Sequence, residues 1–253
     1  EQAQYLPGLG GGGVQLQDGR GDVSHPGVTA EELAFLESVP PRAMRMLVDL
    51  LCADPIALPE TEAGALAQVC VLDNAVSPTL NLNPLHERLA SVPEHYPRCQ
   101  RAAAAFLQEE LERARNAGLD ESFFVHYAPN RGRDARGDEI LKPAEGGDAG
   151  TTDFQFMLRG AVKEVGVLVL LNHYVHRHRG YYPLGPDFNV RDAPRDPAAL
   201  IALAHRHFPK DHMPRIVAVG DTVTFHRDGD LVQRGGSDRG FLQLVQDLGE
   251  RFA

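Results

Sequence analysis

Apolar positions recur three and four residues apart through much of the first 117 residues. Thr29-x-x-Glu32 forms a capping box ahead of Leu33, Phe35 and Leu36, so a helix is expected to start there. Pro40-Pro41 is expected to end it, with Met44, Met46, Leu47, Leu50 and Leu51 on a second helix. Residues 54–64 read as loop. The apolar run 65–73 is open between helix and strand. Asn74 to Pro84 is crowded with Asn, Ser and Pro and reads as irregular. Glu94 to Ala117 predicts a long helix capped by Gly118, and Ser122 to Ala128 a strand. Nearer the start, Val14 to Gln17 alternates as a short strand before the turn Asp18-Gly19.

The rhythm changes after residue 128. Pro129 to Gly150 is the most polar stretch and reads as a long loop or a seam between two units. Thr152-x-x-Gln155 resembles a second capping box. Phe154, Met157, Leu158, Ala161, Val162, Val165, Leu168 and Val169 then predict one helix running to about His176. Asp196-Pro197 starts a further helix, with Asp as cap and Pro in the first turn. Arg215 to Asp221 reads as a short apolar strand ending in Gly220-Asp221. Thr222 to Phe225 and Leu231 to Gln233 flank Asp228-Gly229, a hairpin signal. Ser237 is placed to cap a last helix carrying Phe241, Leu242, Leu244, Val245 and Leu248. Helix, strand, hairpin and helix after a helical first half is an α/β or α+β pattern.

Composition narrows the function classes. The 253 residues carry 25 basic and 35 acidic side chains, a net charge of −10. That balance argues against nucleic acid and an anionic membrane surface as partners. Cys52, Cys70 and Cys99 contain no C-x-x-C pair, which suits a cytoplasmic, reducing setting without a disulfide framework or zinc ribbon. The apolar run Val165 to Leu171 is too short to span a bilayer. No feature of the sequence fixes an oligomeric state.

Several side chains could carry chemistry. Asp221 follows an apolar strand and Gly220, at the kind of strand end where open parallel sheets bind ligands. A hard cation such as Mg²⁺ accepts one or two carboxylates there. A loop or capping acid is the plainer reading of Asp221. First-turn charge against the helix dipole is the plainer reading of Asp238. Lys163 is one of only three lysines and stands among apolar positions. It could hold a phosphate as a point charge, or be a solvated lysine. The polar run from His126 through Asn130, Arg131 and Arg133 suits phosphate or sugar-hydroxyl recognition, or an ordinary loop. His173, His176 and His178, then His205, His207 and His212, form two clusters. They lack a zinc motif and read as helix termini, with a zinc hydrolase as the lesser alternative.

Longer strings narrow this further. Val219-Gly220-Asp221-Thr222-Val223-Thr224 and Arg234-Gly235-Gly236-Ser237-Asp238-Arg239-Gly240-Phe241-Leu242 resemble the C-terminal signature of the glucosylglycerol-phosphate phosphatase family. So do Tyr5-Leu6-Pro7-Gly8-Leu9, Leu72 to Thr79, Phe123 to Asn130 and Gly150 to Gly160. The resemblance implies a haloacid dehalogenase-like Rossmannoid core with an α+β cap domain, residues 1–150 being mainly cap and 151–253 the C-terminal part of the core. It implies a Mg²⁺-dependent, cytoplasmic enzyme that hydrolyses glucosylglycerol 3-phosphate through an aspartyl phosphate. The product is a compatible solute of salt stress. Asp221 and Asp238 would then be metal-binding acids, Lys163 the phosphate-holding lysine, and His126, Asn130, Arg131 and Arg133 contacts to the sugar phosphate. The nucleophile segment of such enzymes, an apolar strand running into Asp-x-Asp, is not found here. Asp228-Gly229-Asp230 fits the letters but follows His226-Arg227 and reads as a turn. The chain is therefore expected to be an N-terminally truncated piece, inactive alone. The alternative is a catalytically inactive module that binds a sugar phosphate.

Overall fold

The computed structural model describes residues 8–194, 196–217, 224–228, 231–235 and 239–252. In chain order it begins with β1 (Gly8–Gly10), β2 (Gln15–Gln17), β3 (Val23–Ser24), α1 (Ala30–Cys52) and α2 (Glu60–Cys70). There follow β4 (Val71–Leu72), β5 (Thr79–Asn81), α3 (Asn83–Arg88), α4 (Tyr96–Asn116) and β6 (Phe123–Ala128). The hairpin strands β7 (Asn130–Arg133) and β8 (Glu139–Leu141) precede β9 (Asp153–Leu158) and α5 (Lys163–Arg179). The last elements are α6 (Pro197–His207), β10 (Thr224–Asp228), β11 (Leu231–Gly235) and α7 (Arg239–Phe252). The fold is mixed α/β, and every strand pair among the described residues is antiparallel. No helix among them is long and apolar enough to cross a membrane.

Contacts divide the chain into two compact units, Thr29–Arg159 and Glu1–Val28 with Gly160–Ala253. The divisions fall after residues 28 and 159 rather than after 150, so the polar stretch 129–150 is no seam. Its middle is the β7–β8 hairpin, and its end is fastened to α4 by Gln100, which is 1% exposed. The Gln100 amide donates to Ala149 O at 2.9 Å and Thr151 O at 2.8 Å, and accepts from Ala144 N at 2.9 Å.

Thr29–Arg159 is built on a four-stranded sheet of order β4-β5-β9-β6. The capping box at Thr29 is formed: Thr29 Oγ1 accepts from Glu32 N, and the Glu32 carboxylate accepts from Thr29 N. Contrary to expectation, α1 runs through Pro40-Pro41. Leu36, Val39, Ala43, Leu47 and Leu51 keep one buried stripe across that point, and Pro40 is itself buried in it. Each interior proline costs roughly 3 kcal/mol, and the burial of those side chains offsets it. Arg42 Nε donates to Glu110 Oε1 at 2.8 Å, tying α1 to α4. The ambiguous run 65–73 is both elements, α2 to Cys70 and then β4. The stretch 74–84, expected to be irregular, holds β5 and the start of α3.

The one long helix expected over 153–176 is two elements. Residues 153–158 are β9, with Phe154, Phe156 and Leu158 buried and their neighbours half-buried. Phe154 and Leu158 fit both a helical and a strand period, which is why spacing misleads there. Gly160 ends the strand at φ +89, where a Cβ would stand 2.7 Å from the Val190 carbonyl oxygen. Helix α5 starts only at Lys163.

In the other unit, α5 packs on α6, α7 and the single turn at Gly11–Gly13. Its core includes Val165, Leu168, Val169, Leu200, Phe208, Leu244 and Leu248. The Asp196 side chain caps α6 by accepting from Ala199 N at 2.8 Å. The β10–β11 hairpin forms with Asp228 opposite Leu231, so Asp228 ends a hairpin strand. Residues 215–217 carry no strand, and Val217 is 88% exposed, against the expectation of a buried strand there. The remainder of that expected strand, to Asp221, lies outside the described residues.

Candidate functional site

Alternation gives the sheet of Thr29–Arg159 two unlike faces. Opposite partners share a face: Phe123 with Leu158, Val125 with Phe156, Tyr127 with Phe154. This face is covered, since Phe35 of α1 stacks on Phe123 and Phe156, with ring centroids 5.3 and 5.9 Å away. The Gln108 amide of α4 reaches the Tyr127 hydroxyl at 3.5 Å. His126 with Gln155, Phe124 with Met157, and Asn81 with Asp153 pair on the other face, where all six side chains stay half-exposed.

Three of the four expected sugar-phosphate contacts meet at the edge of this second face, around a residue the sequence reading missed. The Glu139 side chain is only 4% exposed. It accepts from His126 Nδ1 at 2.9 Å, Tyr127 N at 2.8 Å, Asn130 Nδ2 at 3.0 Å and Arg133 Nη2 at 2.9 Å. Burial raises the pKa of Glu139. The hydrogen bonds from His126 and Tyr127 N, with the charges of His126 and Arg133, outweigh burial and hold the carboxyl below the usual glutamate value. Arg131 stands apart, half-exposed and 3.9 Å from Glu145. The signal for Glu139 was the hairpin: with a turn at Gly137, Arg133 falls opposite Glu139. Reading 129–150 as loop hid it. On the same face, burial pushes the Asp153 carboxyl up, and the nearby His126 charge opposes that.

Lys163 is not inside a helix but is the exposed first residue of α5. The first turns of α5 and α7 meet closely, because a Cβ on Gly240 would overlap the Glu164 carboxylate. The turn at Gly11–Gly13 approaches the same end of α5: a Cβ on Gly12 would stand 2.8 Å from the Ala161 carbonyl carbon. Backbone N–H groups at a helix start are unpaired and favour an anion, so a lysine there reinforces the field. Asp238 immediately precedes Arg239, the first residue of α7, but Asp221 and Asp238 both lie outside the described residues. Among the described residues no group of three His, Cys, Asp or Glu side chains gathers to hold a metal ion.

His173 and His176 sit at the end of α5 as aromatic partners. His176 stacks on Tyr182 at 3.8 Å, and His173 meets the same ring edge-on at 5.5 Å. Burial, with the charges of His176 and Arg177, lowers the His173 pKa. Cys70 and Cys99 are buried free thiols, pushed up to about 12 and about 11 by desolvation, and Cys52 is free and exposed.

No solved structure matches this chain. The family model for glucosylglycerol-phosphate phosphatase matches residues 1–253. The curated glucosylglycerol-phosphate phosphatase of Synechocystis sp. is 49% identical over 252 residues, which are 99% of this chain and 60% of that protein. The chain thus spans about three fifths of the length of the curated relative it matches. By sequence along its whole length, it belongs to the glucosylglycerol-phosphate phosphatase family.

Proposed function

We propose that the protein serves the hydrolysis of glucosylglycerol 3-phosphate to glucosylglycerol and phosphate, in cytoplasmic compatible-solute synthesis. The match of the whole chain to the family carries this reading. A haloacid dehalogenase-like core belongs to it, with Gly160–Ala253 as core and Thr29–Arg159 as cap. Lys163 is the residue we assign to the phosphate. Lys163 opens α5, whose first turn meets that of α7, and its ammonium is a point charge for a phosphoryl oxygen. Mg²⁺ would be held by Asp221 and Asp238 and would polarise the phosphoryl oxygens. His126, Asn130 and Arg133 are assigned to the sugar phosphate's uncharged end, and Arg131, apart from them, to a peripheral contact. The carboxylate that attacks phosphorus is assigned to none of the 253 residues, since Asp228 ends a hairpin strand.

Calorimetry with glucosylglycerol 3-phosphate, paired with a phosphate-release assay, tests this. The folded chain should bind the ester, and Lys163→Ala should weaken binding about ten- to a hundredfold, the worth of a charge-assisted contact. A folded protein that ignores the ester rejects the reading. The hairpin at Asp228 favours a second reading, a sugar-phosphate-binding module without turnover. Ester binding with phosphate release at background, unchanged by added Mg²⁺, is its signature.

A further inference from the structure

Glu139 receives more donors than a carboxylate commonly does. Oε1 faces Arg133 Nη2 at 2.9 Å and His126 Nδ1 at 3.0 Å. Oε2 faces His126 Nδ1, Tyr127 N and Asn130 Nδ2 at 2.8–3.0 Å. An ionised carboxylate only accepts, so the ring nitrogen facing it must carry the proton. Neutral His126 is therefore the Nδ1–H tautomer, and its lone pair is on Nε2. In a histidine, the partner of one ring nitrogen decides what the other can do. The ring is 24% exposed and shares the half-exposed sheet face with Gln155 and Asp153.

We propose that Glu139 is a positioning residue: it holds the Nδ1–H of His126, so that in the neutral ring Nε2 accepts a hydrogen bond from a hydroxyl of a polyhydroxylated ligand on this face. The ligand's identity rests on the reading above; the tautomer does not. Charge argues for a neutral group rather than a phosphate. Glu139 and Asp153 are acids. Arg133, the nearby guanidinium, is committed to Glu139 and, through Nη1 at 2.7 Å, to the Gly137 carbonyl. The amides of Asn81 and Gln155 share the face and match hydroxyl groups as both donors and acceptors.

Long-range proton–nitrogen NMR of the histidine rings, on the whole chain, tests both halves. Glucosylglycerol, its 3-phosphate and inorganic phosphate are the probes. At a pH where the ring is neutral, wild-type His126 should show the Nδ1–H pattern, and its Nε2 signal should move with glucosylglycerol but not with inorganic phosphate. Glu139→Gln, whose amide turns a donor toward one of the four donors, should lose that pattern and bind the glycoside roughly three- to tenfold more weakly, the worth of one hydrogen bond. Glu139→Asp keeps the charge and should restore part of both; it also serves should the Gln variant fail to fold. An unchanged tautomer in a folded Glu139 variant overturns the proposal. So does a glycoside that moves other signals and leaves His126 unmoved, or that binds the variant as well as wild type. If none of the probes moves any signal, the sugar-phosphate reading fails, and the hydroxyl contact fails with it.

Discussion

The two faces of the β4-β5-β9-β6 sheet are made by the same strands and differ by one residue step. Phe123, Tyr127, Phe154, Phe156 and Leu158 lie under α1 and α4. His126, Asp153 and Gln155 share the other face and stay half-exposed. A one-residue slip would exchange the two sets, so burying the aromatic face is also what fixes the polar one in place. Stability is therefore concentrated on one side and the proposed recognition on the other, and the two should respond to mutation separately.

Truncating Phe156 should break the covered face. Phe156→Ala should cost about 3–5 kcal/mol, read as a lowered denaturant midpoint at unchanged slope. A smaller loss is expected from Gln100→Ala, which strips partners from Ala144 N and the carbonyls of Ala149 and Thr151 just before β9. About 1–3 kcal/mol should go, with faster amide exchange over residues 142–151.

Acid sharpens the contrast on the polar face. The Glu139 carboxyl is held below its usual value, so its contribution is complete above the ordinary glutamate range and fades as pH falls through the lowered one. Asp153 has the opposite sign: burial raises its pKa, so stability drops as pH rises from the ordinary aspartate range through the raised value. In denaturation against pH, Glu139→Gln should flatten the acid limb, and Asp153→Asn should stabilise the protein at neutral pH. Gln155→Ala should move stability least, by within about 0.5 kcal/mol, while weakening glycoside binding. A large stability loss there would show that the two faces are not separable.

Much of this was legible in advance, for reasons visible in single residues. Thr29 with Glu32 and Asp196 with Pro197 are local signals, complete within four residues, and both helices start where those signals place them. The hairpin around Asp228-Gly229 is local in the same way. Pro40-Pro41 misled because a buried stripe on both sides outweighs two broken turns, a tertiary effect with no local mark. Lys163 was expected in mid-helix because Phe154 to Leu158 satisfied two periods at once, whereas α5 begins at it. Glu139 was missed because its partners lie 6 to 13 residues away and meet only across the hairpin.

The division of the chain also sets an order of assembly. Residues 1–28 belong with residues beyond 160, whereas Thr29–Arg159 is continuous. During synthesis the ribosome must make everything between, on the order of ten seconds of work, before the first strands meet α5. Thr29–Arg159 emerges in one piece and has its partners at once. Through that interval the glycine segment waits for a helix not yet made and stays open to a chaperone or a wrong neighbour.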